Sequence, residues 1–168
     1  VPELTPLHPD HARAVLAFER ENRAWFARSV SDRGDAFFDR FDEQFRASLA
    51  EQDSGACAFY VLAEADGDDV LGRFNLYGLH DGTADLGYRM AEHACGRGLA
   101  TAAVGELCRL AATRHGLRTL RAATSLTNLA SQRVLAKCDF TPTGPADPSA
   151  LGGKPGTWFR RDVTRQPG

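Results

Sequence analysis

The stretch Thr83-Ala84-Asp85-Leu86-Gly87-Tyr88-Arg89-Met90-Ala91-Glu92-His93-Ala94-Cys95-Gly96-Arg97-Gly98-Leu99-Ala100-Thr101-Ala102-Ala103-Val104 changes its hydrophobic period partway along. Residues 83–90 read as a β-strand. Ala100, Ala103, Val104, Leu107, Cys108 and Ala111 then recur at helical spacing up to His115-Gly116, where the glycine can supply a left-handed cap. Between the two lies the glycine-punctuated turn Cys95-Gly96-Arg97-Gly98. Glycines let backbone approach a ligand closely, and the free N–H groups of a first helical turn point at whatever sits there. A pyrophosphate suits such a cradle, because charge-assisted N–H bonds contribute about 1.5–3 kcal/mol each and the helix dipole about 0.3–1 kcal/mol. By spacing alone, the two glycines serve equally well as a sharp strand-to-helix turn. A Walker A loop is excluded because no Gly-Lys-Ser/Thr closes the segment, and a GxGxxG fingerprint because Thr101 holds the third glycine position.

Working outward, residues 57–65 and 70–79 are apolar and β-rich, separated by the polar cluster Asp66-Gly67-Asp68-Asp69, which suits a tight hairpin. Asp81-Gly82 makes a second turn, so three consecutive antiparallel strands are predicted. Upstream, residues 2–7 suit a short edge strand that tolerates Pro2 and Pro6. Residues 9–28 suit one or two helices with a break near Glu21-Asn22, and residues 35–51 a single amphipathic helix. In that helix Phe37, Phe38, Phe41, Phe45 and Leu49 form a stripe read as core rather than as a ligand groove. Downstream come a strand over 117–125, a helix over 128–138 with Asn128 as N-cap, and two last strands at 140–141 and 157–163. The Pro/Gly-rich loop 144–156 between those strands is not expected to continue regular structure. The order predicts an α/β fold: a mixed, mostly antiparallel sheet of six or seven strands with helices on both faces.

The chain has 168 residues, 43% hydrophobic and 25% charged, a size that suits one core. We expect a single domain over residues 1–163 and a frayed tail over 164–168. Lys+Arg number 20 against Asp+Glu 22, so the basic excess that collects nucleic-acid phosphates is missing. No apolar run approaches the roughly 20 residues that cross a bilayer, and no basic-then-apolar leader opens the chain, so neither nucleic acid nor membrane is an expected partner. Cys57, Cys95, Cys108 and Cys138 are widely spaced, and His80, His93 and His115 match no metal spacing. A cytoplasmic protein with reduced thiols and no metal is expected.

Taken together, Leu71-Gly72-Arg73-Phe74-Asn75-Leu76, Ala84-Asp85-Leu86-Gly87-Tyr88-Arg89-Met90, Gly96-Arg97-Gly98-Leu99-Ala100-Thr101, Asn128-Leu129-Ala130-Ser131 and Val134-Leu135-Ala136-Lys137-Cys138-Asp139-Phe140 resemble the GNAT superfamily of acetyl-coenzyme A-dependent N-acetyltransferases, in its RimJ/RimL-like branch. The resemblance covers most of the chain. In that family Gln/Arg-x-x-Gly-x-Gly/Ala wraps the coenzyme A pyrophosphate; Gly98 and Ala100 match its second half, while Cys95 stands where Gln or Arg is usual. Asp139 stands where the family has Gly before Phe. The resemblance implies a GNAT fold in which residues 86–90 splay from a parallel neighbour after a bulge, with pantetheine lying in the gap as a substitute strand.

It also implies site residues. Tyr88 and Met90 would pair with pantetheine through their backbone, Cys95, Gly96, Arg97, Gly98, Leu99, Ala100 and Thr101 would form the cradle, and Asn128 would lie near the thioester. Ser131 would protonate the leaving thiolate, although its position also suits a plain first-turn hydroxyl. Asp85 is the first choice for the base, directly or through water, and a solvated strand residue is its other reading. Cys95 is read as a structural thiol, not a nucleophile. Glu19, Asn22, Trp25, Asn75, Tyr77 and the loop Gly152-Gly153-Lys154 are candidates for the acceptor wall. The expected reaction is direct attack by a primary amine on acetyl-coenzyme A, with a peptide or protein N-terminal α-amine as the leading acceptor. The alternatives are a small-molecule amine, such as an antibiotic or an amino acid, and a non-catalytic coenzyme A-binding regulator. A homodimer is compatible with this reading.

Overall fold

The computed structural model describes residues 1–65 and 68–165. Seven strands form one sheet in the order β1-β2-β3-β4-β5-β7-β6, where β1 is Glu3–Pro6, β2 Ala58–Ala63, β3 Val70–His80, β4 Thr83–Met90, β5 Thr119–Ser125, β6 Thr141–Ala146 and β7 Gly156–Asp162. Every neighbouring pair is antiparallel except β4 and β5. Six α-helices accompany the sheet: α1 Ala12–Glu21, α2 Arg23–Ala27, α3 Asp35–Asp39, α4 Phe41–Asp53, α5 Leu99–Thr113 and α6 Leu129–Lys137. Alternation along β3 separates two layers. Phe74 and Leu76 turn to the fully buried core, whereas Arg73 lies on the face that meets Glu19 of α1.

The predicted antiparallel trio is present as β2, β3 and β4. Asp66 and Gly67 of the first predicted turn lie outside the described residues. The second turn is clear: Asp81 has φ 50° and Gly82 φ 77°, the paired left-handed residues of a type I′ hairpin. The expected break between α1 and α2 falls at Asn22.

Two expectations need correction. Residues 35–51 do not form one helix: the backbone leaves helical geometry at Arg40, with φ −113° and ψ 29°. Beyond that break Phe41 and Phe45 stack at 5.6 Å inside the core, while Phe37 and Phe38 stay half-buried. Nor is Gly144-Pro145-Ala146 a loop, since β6 continues through it. Pro145 is tolerated because β6 is the sheet edge, so a missing N–H breaks no ladder. The remaining connection contains a 3-10 turn at Pro148–Leu151. Of the expected tail, residues 166–168 lie outside the described residues.

Asp139 links α6 to β6 with φ 63°, and its N–H donates to Ala136 C=O at 3.2 Å. Asp tolerates this left-handed conformation better than most side chains, which explains its survival where glycine is usual. Asp139→Val should therefore cost about 1–2 kcal/mol in denaturant unfolding, and Asp139→Gly should stay within about 1 kcal/mol of the parent.

Candidate active site

The parallel pair β4–β5 holds for only three rungs, Thr83↔Thr119, Ala84↔Leu120 and Asp85↔Arg121. Beyond them the strands part. Each remains paired on its outer side, β4 with β3 up to Met90 and β5 with β7 up to Ser125. Hydrogen-bond alternation shows which groups face the opening. Ala91 N–H donates to Leu71 C=O at 2.8 Å, so the pairs two residues apart, Arg73/Arg89 and Asn75/Gly87, are the hydrogen-bonded ones. Leu86, Tyr88 and Met90 then turn their N–H and C=O groups away from β3, toward the gap. On the other lip, Val163 N–H donates to Arg118 C=O at 2.8 Å, which leaves Ala123 as a residue facing inward. The irregularity expected ahead of the splay lies on β3 rather than β4, between Tyr77 and His80, where Gly78 has φ 60°.

A cavity of about 300 Å³ occupies this opening, lined by residues 86–89 of β4, residues 122–125 of β5, and Asn128, Ser131 and Leu135. Thr124 contributes a buried hydroxyl without a hydrogen-bond partner. Asn128 is the N-cap of α6, its Oδ1 accepting the Ser131 N–H at 3.2 Å, which fixes Ser131 on the cavity wall. The Tyr88 ring stacks on Phe74 at 5.2 Å. Burial pushes the Tyr88 phenol above its ordinary pKa, and the nearby Ser131 hydroxyl opposes that shift. The phenol is thus neutral at physiological pH and adjoins the Ser131 hydroxyl.

Beside the gap, Gly96 (φ 78°) and Gly98 (φ 73°) carry the chain into α5, whose first residue is Leu99. No side chain caps this helix. Ala102 N–H is the first to find a main-chain acceptor, Gly98 C=O at 3.1 Å, so among the described residues the N–H groups of 96–101 are left for a ligand. Added Cβ atoms at Gly96 and Gly98 would meet nothing within 4 Å, so the cradle is open. Cys95 stands apart from the rest: its N–H donates to Glu92 C=O at 3.2 Å and its thiol to Ala91 C=O at 3.3 Å. Burial pushes that thiol's pKa up, which disfavours the thiolate a nucleophile needs.

The other expected residues are placed as follows. Asp85 stands at the last rung, and both carboxylate oxygens accept from Arg121, at 3.0 and 3.2 Å. It is not among the residues lining the cavity. Asn22 is buried and its side chain is used internally, donating to Phe18 C=O at 2.9 Å and accepting from Glu92 N–H at 3.0 Å. Glu19 is 1% exposed and is surrounded by Arg33, Arg73 and Arg89 at 3.1, 3.5 and 3.6 Å. Trp25 lies under the Arg28 guanidinium and does not line the gap cavity.

Asn75 and Tyr77 do line a cavity, joined by a 3.0 Å bond from Asn75 Nδ2 to the Tyr77 hydroxyl. Of the late loop, Gly152 reaches the gap cavity, and with φ 63° an added Cβ there would collide with Ser31 Oγ. The loops after α2 and after β6 thus meet over the opening. Sequence reading missed Ser29–Ser31, Ala122–Ser125 and the three arginines. A signal for Arg73 did exist: a charged residue inside the otherwise apolar run of residues 70–76 has to find a buried partner.

A sheet split at a parallel pair, beside an uncapped glycine-led helix, leaves an open cleft next to free main-chain N–H groups. The chain matches the family model described as acetyltransferase (GNAT) domain over residues 3–141. It belongs to the GNAT acetyltransferase family, and acetyl-coenzyme A is its acyl donor. Among solved structures it is similar to the ribosomal-protein-S5-alanine acetyltransferase from Vibrio fischeri, with TM-score 0.89 and 16% identity, covering 99% of this chain and 96% of that one. It is also similar to Mycobacterium smegmatis RimJ in complex with a CoA-disulfide, with TM-score 0.87, 21% identity and coverage of 100% and 85%. A third is spermidine N-acetyltransferase from Vibrio cholerae in complex with CoA and spermine, with TM-score 0.79, 16% identity and coverage of 97% and 96%. No curated protein sequence matches the chain. Among the described residues, no group of three or more His, Cys, Asp or Glu side chains could hold a metal ion, and no helix is long and apolar enough to cross a membrane.

The donor fits residues present here: free N–H groups for its phosphates, and unpaired main chain with an orphaned hydroxyl for its amide-bearing arm. Gly98→Val should force a β-branched residue into a left-handed conformation and place bulk in the cradle. Coenzyme A affinity measured by calorimetry should fall at least about tenfold, with the far-ultraviolet circular dichroism spectrum retained.

Proposed function

We propose that this acetyltransferase modifies the α-amine of a peptide or protein N-terminus by direct attack, within one domain spanning residues 1–163. One observation carries the acceptor assignment: the gap cavity adjoins two further cavities in a groove whose lining arginines, Arg33, Arg40, Arg73 and Arg89, outnumber its acids Asp32 and Glu51. The gap cavity shares Ser31 and Arg89 with a second cavity, which in turn shares Arg33, Phe37 and Gln44 with a third that reaches Asn75 and Tyr77. An elongated groove suits a chain, and its arginines repel the polyamines and cationic antibiotics that an acidic groove would collect. The ribosomal-protein-S5-alanine acetyltransferase and RimJ, whose fold this chain shares, support the same direction.

Acetyl-coenzyme A supplies a thioester carbonyl carbon, to which the amine nitrogen bonds while the carbon–sulfur bond breaks. Unpaired main chain on β4 and β5 holds the donor arm in line for that attack. Ser131 gives its proton to the leaving sulfur and recovers one from the attacking nitrogen through the adjoining Tyr88 phenol or water, so the exchange is proton-neutral. Asp85 is assigned to holding the strand fork with Arg121 rather than to proton removal. Such a site needs an acceptor that is already partly neutral. An α-amine with pKa near 8 is roughly a tenth neutral at pH 7, whereas a lysine amine near 10.4 needs about 4–5 kcal/mol for deprotonation.

Two measurements test this reading. Peptides with a free α-amine and blocked lysines should be acetylated about a hundredfold faster than the converse peptides at pH 7, and a preference for lysine would reject the assignment. Ser131→Ala should lower kcat by about a hundredfold with little change in the KM for acetyl-coenzyme A, because a leaving-group acid acts mainly in the transition state. An unaltered kcat would return Ser131 to a purely local role in the first turn of α6.

A further inference from the structure

The face of the sheet that meets α1 carries an unbalanced set of charges. Glu19, 1% exposed, faces three guanidinium groups: Arg33 from the loop before α3, Arg73 from β3 and Arg89 from β4. Arg73 and Arg89 are direct cross-strand partners, so the two cations lie side by side. One carboxylate cannot neutralise three guanidinium groups. Among the described residues no other acid forms an ion pair with these three groups: Asp32 and Asp35 both pair with Arg23 at 2.8 Å, Asp32 also accepting the Gly34 N–H at 3.0 Å, and Glu51, at the far end of the third cavity, accepts from the Cys57 thiol.

Two buried polar atoms here have no partner, and both belong to residues lining the third cavity. Arg73 Nε is an unused donor on a side chain 9% exposed, and Asn75 Oδ1 an unused acceptor on a residue 6% exposed. Burial pulls both Arg73 and Arg89 below the ordinary arginine pKa, and the neighbouring Arg33 adds to that effect, so the protein bears a cost for keeping these cations here. An unused donor beside excess positive charge suits a carboxylate, and an unused amide oxygen two residues along the same strand suits a peptide N–H.

We infer that the groove holds a carboxylate side chain on the second or third residue of the acceptor peptide, received by Arg33, Arg73 and Arg89, with Asn75 Oδ1 taking a main-chain N–H of the same peptide. The position follows from spacing. From the gap beside β4 across β3 to Phe59 on β2, which also lines the third cavity, the groove spans about two inter-strand steps, or roughly 10 Å. That is the length of about three extended residues. With the α-amine at the gap, residues two and three pass over Arg89 and Arg73. The inference rests on the N-terminal reading above and narrows its substrate class to acidic N-termini.

The test compares hexapeptides that differ only in Glu, Gln or Lys at the second residue, and a matching set varied at the third. In at least one set kcat/KM should be about tenfold or more higher for Glu than for Gln, with Lys lowest. Calorimetric titration of the same peptides into the coenzyme A-saturated enzyme should rank their Kd values in the same order. Arg33→Gln, at a side chain 29% exposed, leaves Glu19 with two guanidinium partners and should erase most of the Glu advantage. Unchanged coenzyme A affinity shows that the variant is folded, and the peptide comparison on the parent enzyme decides the question even if it is not. Glu and Gln peptides within about twofold of each other in both sets would overturn the carboxylate inference while leaving the N-terminal reading intact. Turnover of small amines with no turnover of any peptide would overturn both.

Discussion

The parting of β4 and β5 after three rungs is the constraint on which the site depends. Main-chain groups in the middle of a sheet require partners, and leaving them unpaired away from water is costly. Here such groups flank the gap between β4 and β5. The Asp85–Arg121 pair closes its apex with two hydrogen bonds, and Arg121 rests on the Trp158 ring at 4.5 Å, so the strands stay joined on one side of the fork and open on the other. A donor with amides along its arm can act as the missing strand.

The two sides of the gap differ in kind. The donor side is built from glycines, a helix terminus and unpaired strand backbone, features that accept one ligand geometry and are tolerant of side-chain identity. The proposed acceptor side is built from charge. Glu19 is buried among three guanidinium groups, and α1 is fastened to the turn after β4 through Asn22 and the Glu92 N–H. Removing the Glu19 carboxylate would leave buried cations uncompensated, a change that commonly costs more than the pair contributes.

Much of the fold was legible from periodicity. The alternating strands β2 to β4, the helical face of α5, the Asp81-Gly82 turn and the Asn128 cap all depend on neighbours within a few positions, and local rules suffice for them. The elements that were misread depend on distant neighbours. The break at Arg40 does not show in the Phe spacing, because Phe37 and Phe41 keep helical separation on either side of it. Pro145 continues a strand only because β6 happens to be the sheet edge. The same division runs through the site. Gly96, Gly98 and Ser131 lie in motifs that could be read in order, while Arg33, Arg73 and Arg89 come from a loop and two strands with no shared pattern.

The linear chain by itself determined the glycine turn into α5, the helix that carries Ser131 and, through its resemblance to a known family, the fold. The turn and the helix rest on short-range conformational preferences: glycine's access to positive φ, the N-cap bond, and the change of hydrophobic period from two to 3.6. Only the tertiary structure decided that Asp85 is occupied by Arg121, that Asn22 is a tether, and that three arginines share one buried acid. Electrostatic partnership and burial depend on which side chains meet across strands and helices, and sequence separation does not encode that meeting.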